Sequence, residues 1–108
     1  MPIWNIRPIE EEPESKLTHW SIREVQLPGE EGSTRHFVGE LASWHPEGRV
    51  SSPIVDFDPK TMCGVTRSGR VYQLIGPPGN SSDADYVWAR WCALNHVVDF
   101  KRIESWQS

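Results

Sequence analysis

The side chains best suited to holding a metal are Cys63, Cys92, His19, His36, His45 and His96. Finger- and ribbon-type zinc sites need close pairs such as C-x-x-C, because one turn must deliver two ligands. The chain has no such pair. Cys92 and His96 are four apart in a helical pattern, which makes them neighbours. Cys92, however, falls on the apolar side and reads as a small buried hydrophobe. No metal and no cofactor is expected.

Catalytic groups are equally sparse. Asp56 and Asp58 are two apart, so a strand would place both on one face, where they could serve a cation or acid–base work. Asp58 precedes Pro59, though, and already suits the first position of a turn. There is no G-x-S-x-G, no H-E-x-x-H and no Cys beside an evident activating His. Gly76-Pro77-Pro78-Gly79 stands before a helix, where phosphate loops occur, but two prolines lack the N–H groups of an anion cradle. The sequence names no catalytic residue, and a small hydrolase or ligand-binding protein is kept only as a lesser alternative.

Basic residues offer more. Lys60, Arg67 and Arg70 lie within eleven residues that contain no acid, and Arg49 precedes them. Arg67 and Arg70 flank Ser68-Gly69, read as a two-residue hairpin tip. That register sets Arg67 opposite Arg70, Thr66 opposite Val71 and Val65 opposite Tyr72. Like charges across a hairpin repel unless an anion lies between them. Arg49, Lys60, Arg67 and Arg70 are thus candidates for binding a polyanion or nucleic acid; a solvated loop is the plainer alternative.

Six tryptophans are the remaining signal. Trp88 and Trp91 share the apolar face of a helix and Trp20 shares a strand face with Ile22, which places these three in the core. Trp4, Trp44 and Trp106 fall in an arm, beside a turn and near the C-terminus. They are candidates for an interface with a protein partner or a second copy, or for folding back over the sheet.

These residues need elements to position them. Residues 1–16 read as an extended arm and an acidic, Pro-broken loop. Residues 17–75 read as an antiparallel sheet, with strands over 17–27, 34–42, 49–57, 62–67 and 70–75. Between Trp20/Ile22 and Val25/Leu27 the apolar parity switches, which predicts a bulge or two short strands. Residues 82–96 form an amphipathic helix, with Ser82 and Asp85 as a near capping box. Residues 97–106 form a last strand. The expected fold is α+β: an antiparallel β-meander of four to six strands, with one C-terminal amphipathic helix packed on one face.

Bulk properties agree with a single domain over residues 1–108. The net charge is -4, which argues against a protein that coats nucleic acid. Residues 1–48 carry four basic and nine acidic side chains, and residues 49–108 carry seven and six. Such asymmetry fits a partner for one face, with a solvated acidic N-terminus as the plainer alternative. No stretch approaches the ~18 apolar residues of a membrane span. No signal peptide is recognisable at the start, so a cytoplasmic protein with reduced thiols is expected.

Three stretches, Gly48-Arg49-Val50-Ser51-Ser52-Pro53-Ile54, Thr66-Arg67-Ser68-Gly69-Arg70-Val71-Tyr72-Gln73-Leu74 and Gly76-Pro77-Pro78-Gly79, precede Tyr86-Val87-Trp88. Together they resemble short uncharacterised bacterial proteins of the mobile gene pool, including integron-cassette products. The resemblance spans about residues 48–91. It implies no activity, and it favours an accessory protein over a housekeeping enzyme. The expectation is a non-enzymatic interaction protein that binds a protein partner or itself as a homodimer. Polyanion recognition around Arg67 and Arg70 is the alternative.

Overall fold

The computed structural model describes residues 14–42 and 47–104. The chain runs β1 (Glu14–Val25), β2 (Thr34–Leu41), β3 (Gly48–Val50), β4 (Ile54–Asp58), β5 (Cys63–Thr66), β6 (Val71–Leu74), α1 (Ser82–Leu94) and β7 (Lys101–Ile103). The class is α+β, as expected. Trp4, Trp44 and Trp106 lie outside the described residues.

Two features refine the expected meander. Among the described residues there are seven strands where four to six were expected, and the mostly antiparallel sheet is mixed, in the order β3-β2-β1-β6-β5-β4, with β7 also paired to β1. Neighbours pair antiparallel except β1 and β6, which run parallel from Glu14 opposite Val71 to Leu17 opposite Leu74. The reason is a count of reversals. The expected single strand over 49–57 is broken into β3 and β4, which continue in one direction around a bend at 51–53. Across this bend Ser51 N–H donates to the Phe37 carbonyl on β2, and Arg67 N–H donates to the Pro53 carbonyl. The two ends of the sheet path are therefore joined through the chain, and the sheet curls on itself. Counting β3 and β4 as one bent strand leaves five passes, so the first and last point the same way and must meet in parallel.

The curled sheet encloses one core. Leu17, Trp20, Ile22, Phe37, Leu41, Phe57, Tyr72 and Leu74 form it. Phe37 of β2 meets Phe57 of β4 at 5.6 Å and Tyr72 of β6 at 5.5 Å between ring centroids, across the interior rather than along a ladder. Gly64 makes room for this ring, since a Cβ there would stand 2.6 Å from Phe37 Cζ.

A bulge is present, but not where the parity switch placed it. The β1–β2 register shifts between Thr18 and Ser21, and His19 there has φ 49°. The extra residue lets Leu17 and Trp20 share the inner face with Ile22. Val25 points the other way because the outer face is also covered: Val25, Val38, Val50, Ala84, Trp88 and Trp91 form a second core beneath α1. Apolar residues on both parities reflect a sheet buried on both sides.

The helix is capped one residue earlier than the sequence reading placed it. Ser81 is the N-cap, and its hydroxyl accepts from Ala84 N–H and donates to Glu40 Oε2 at 2.8 Å. Asp85 is not free to close a capping box, because Arg23 holds its carboxylate. The helix start rests on Gly48, where a Cβ would clash with the Asp83 backbone. Asn95 ends the helix, with both its backbone and side-chain N–H groups donating to the Trp91 carbonyl. Of the strand expected over 97–106, the described residues form β7 at Lys101–Ile103, and β1 is described from Glu14, inside the expected acidic loop.

Candidate ligand-binding cleft

The four basic candidates do not assemble on one face. The hairpin loop has three residues, not two. Thr66 N–H donates to the Arg70 carbonyl and Gly69 N–H to the Thr66 carbonyl, and Gly69 has φ 91°, the geometry of a turn closed by a left-handed residue. Val65 consequently stands opposite Val71 rather than Tyr72. A slip of one residue exchanges the faces of one strand relative to the other, so Arg67 no longer shares a face with Arg70, which lies on the parity of Tyr72 and is buried. Arg67 alone remains at the tip, clamped by Glu30 through two bonds of 2.8 and 3.2 Å. That clamp holds the Glu30 carboxyl below its ordinary value and raises Arg67. Arg49 is buried as well, donating to Ser15 Oγ and Glu47 Oε1 at 3.2 Å each. Lys60 is exposed, in the β4–β5 turn at the far end of β5 from Arg67.

The expected carboxylate pair is also dispersed in role. Asp58 accepts from Lys60 N–H at 2.9 Å and shapes that turn, while Asp56 is an exposed strand residue. Both thiols are free. Burial pushes the Cys92 thiol up, with Arg23 pulling the other way, so a nucleophilic thiolate is disfavoured there. Among the described residues no three His, Cys, Asp or Glu side chains converge as metal ligands, and no helix is long and apolar enough to cross a membrane.

A different set of residues converges. Arg23, Asn80, Asp85, Trp88, Phe100 and Arg102 line a cleft of about 430 Å³, where the outer face of β1 and β7 meets the first turns of α1. The register places Arg23 opposite Arg102, so both guanidiniums rise on the same face. Arg23 is buried. Its Nε–H donates to Ser21 Oγ at 3.0 Å and an Nη2–H to Asp85 Oδ1 at 2.9 Å. Its guanidinium carbon lies 5.1 Å from the Trp88 ring centroid and 5.2 Å from that of Phe100, within cation–π reach. Arg102 is braced by Asn80 Oδ1 at 2.8 Å and the Gly79 carbonyl at 2.9 Å. Glu104 lies 3.9 Å from its Nε, beyond hydrogen-bond range.

Trp88 forms the floor. It stacks on Trp91 at 5.1 Å and meets Phe100 edge-on at 5.2 Å. Its indole Nε1–H is buried with no hydrogen-bond acceptor. An orphaned buried donor costs roughly 1–3 kcal/mol, and such groups are rare enough in folded proteins to need a reason. Phe100 remains 45% exposed above it.

Sequence reading missed this cleft for identifiable reasons. Arg23 alternates with Ile22 in its strand and carries no local sign of a role, Asp85 reads as a helix-start acid, and Trp88 reads as core. The usable signal was a charged residue between Ile22 and Val25 in a strand apolar on both parities. Such a residue must be buried with a partner. No protein-family model, curated protein or solved structure matches the chain.

Proposed function

We propose that the protein is a non-catalytic binding module whose recognition site is the Arg23–Trp88–Phe100–Arg102 cleft. The carrying observation is the Trp88 Nε1–H, a buried donor without an acceptor in a cleft whose two guanidiniums stand side by side. An incoming acceptor offsets both the orphaned donor and the like-charge pairing. The absence of an activated nucleophile or a converging carboxylate pair from this site favours binding over turnover. The resemblance of residues 48–91 to cassette-type proteins names no activity and adds none to this reading. Titrating the chain with a panel of small anions, with two-dimensional ¹⁵N NMR following the six indole N–H signals, tests the reading. At least one anion is expected to move the Trp88 signal saturably and to raise the unfolding midpoint. A panel that leaves Trp88 and Arg102 unmoved would remove the proposal.

A second reading, docking on another protein or a second copy, is favoured by Leu94, Val98 and Phe100, three exposed apolar residues at the end of α1 and just beyond it. Sedimentation of the wild type against Val98→Asp checks it. A concentration-dependent dimer lost in the variant supports self-association, and a monomer in both removes it.

A further inference from the structure

The ligand class follows from the lining, and this step rests on the reading of the cleft as a binding site. A volume of about 430 Å³ falls in the range of small-molecule sites, roughly 300–1,000 Å³. Of the charged lining groups two are cationic and one, Asp85, is anionic and already held by Arg23. Glu104 stands 3.9 Å from Arg102 Nε, outside hydrogen-bond range, so among the described residues Arg102 is the lining cation with no hydrogen-bonded carboxylate, which suits a monoanion. A phosphate dianion would bring an uncompensated charge beside Asp85.

The donors specify the anion further. Arg102 uses one Nη1 and one Nη2 bond on Asn80 and Gly79, which fixes the plane of its guanidinium. A guanidinium has five N–H groups in a planar fork suited to a carboxylate. The second donor is Trp88 Nε1–H. Trp88 lines the cleft but this donor is buried, so an acceptor reaches it only with displacement of the half-exposed Phe100 ring that meets Trp88 edge-on. Phe100 and the Trp88 edge then offer an aromatic wall, which selects a flat apolar body.

We infer that the cleft binds a small planar monocarboxylate, its carboxylate held between the Arg102 guanidinium and Trp88 Nε1–H and its ring lying on Phe100.

Four probes that vary one feature at a time test this on the full wild-type chain: 2-naphthoate, 2-naphthyl phosphate, 2-naphthol and acetate. The readout is the Trp88 indole N–H signal, assigned through bonds. Naphthoate is expected to bind tightest, with naphthol and acetate each at least roughly tenfold weaker, the worth of one charge-assisted hydrogen bond or one stacked ring. Arg102→Ala should weaken naphthoate roughly tenfold or more and Phe100→Ala should weaken it less. The ranking in the wild type stands even if either variant folds poorly. Naphthyl phosphate binding tighter than naphthoate at the same signal overturns the carboxylate while leaving the cleft as a binding site. Naphthol binding as tightly as naphthoate does the same. No response of Trp88 to any probe overturns both this inference and the reading beneath it.

Discussion

Arg23 and Arg102 stand directly opposite one another across the β1–β7 pair. Like charges in that position destabilise a ladder unless other groups hold them. Each arginine has its own support, Asp85 for Arg23 and Asn80 with the Gly79 carbonyl for Arg102. Two separately braced cations side by side, with an orphaned indole donor beneath them, are the physical content of the proposed site.

Asp85→Ala should expose this arrangement. It leaves the buried Arg23 without its counter-charge, and because Asp85 is about half exposed the cost should be about 1–3 kcal/mol rather than that of a fully buried pair. Arg23→Met in the same background should recover most of the loss, as a packed apolar chain beneath Trp88 and Phe100. Urea unfolding of the single and double variants checks this. Equal stability of Asp85→Ala and wild type would mean that Arg23 needs no partner.

Gly64→Ala should cost about 1–3 kcal/mol by overpacking, since the added methyl meets the Phe37 ring at 2.6 Å and the Asp56 carbonyl at 2.9 Å. Phe37→Leu combined with it should recover part of that cost by withdrawing the ring. Thermal unfolding of the four chains in this cycle reads the coupling. Strict additivity would show that the two positions do not share the interior.

Much of the frame was legible in the sequence. Turn residues divided the strands except over 49–57, where β3 and β4 stand in place of one strand, the β1–β2 pairing followed from alternation, and the helix followed from its periodicity. What escaped depended on non-local packing. Two against three loop residues at Arg67-Ser68-Gly69 is a difference of one residue in register, yet it decides whether Arg67 and Arg70 share a face. The parallel β1–β6 seam depends on the bend at 51–53, which carries only Pro53 as a local mark. The cleft needed Arg23, Trp88 and Arg102 from three distant elements, each with a sufficient local explanation of its own.

His36 gives a pH signature. It is fully buried on the helix side, its ring 4.7 Å from that of Trp91 and tilted by 60°. The Ser51 carbonyl can only accept, so Nδ1 carries the proton and Nε2 accepts from Thr34 Oγ1, at 2.8 Å each. Burial lowers its pKa below 6.5 in the fold; the Ser51 bond opposes this, Arg67 assists it and Glu30 opposes it. The unfolded chain therefore takes up the proton first. The stability that His36 contributes as a neutral ring is present above pH 6.5 and is lost as the pH falls below it towards the folded value. Urea midpoints from about pH 7.5 to about pH 5.5 should fall in the wild type and flatten in His36→Gln. A midpoint that rises on acidification would contradict the assignment.

Ser81→Ala should cost about 1 kcal/mol through loss of the N-cap bond to Ala84, with a further small loss from the bond to Glu40. Ser82→Ala should cost much less, because the cap lies one residue earlier. Reversed costs would move the helix start.

A crystal structure of the full chain with 2-naphthoate tests the central claim most directly. The account predicts a carboxylate within hydrogen-bond distance of both Arg102 and Trp88 Nε1, with the naphthyl ring against a displaced Phe100. A Trp88 N–H already bonded to an acceptor of its own chain, with the naphthoate elsewhere, would contradict it.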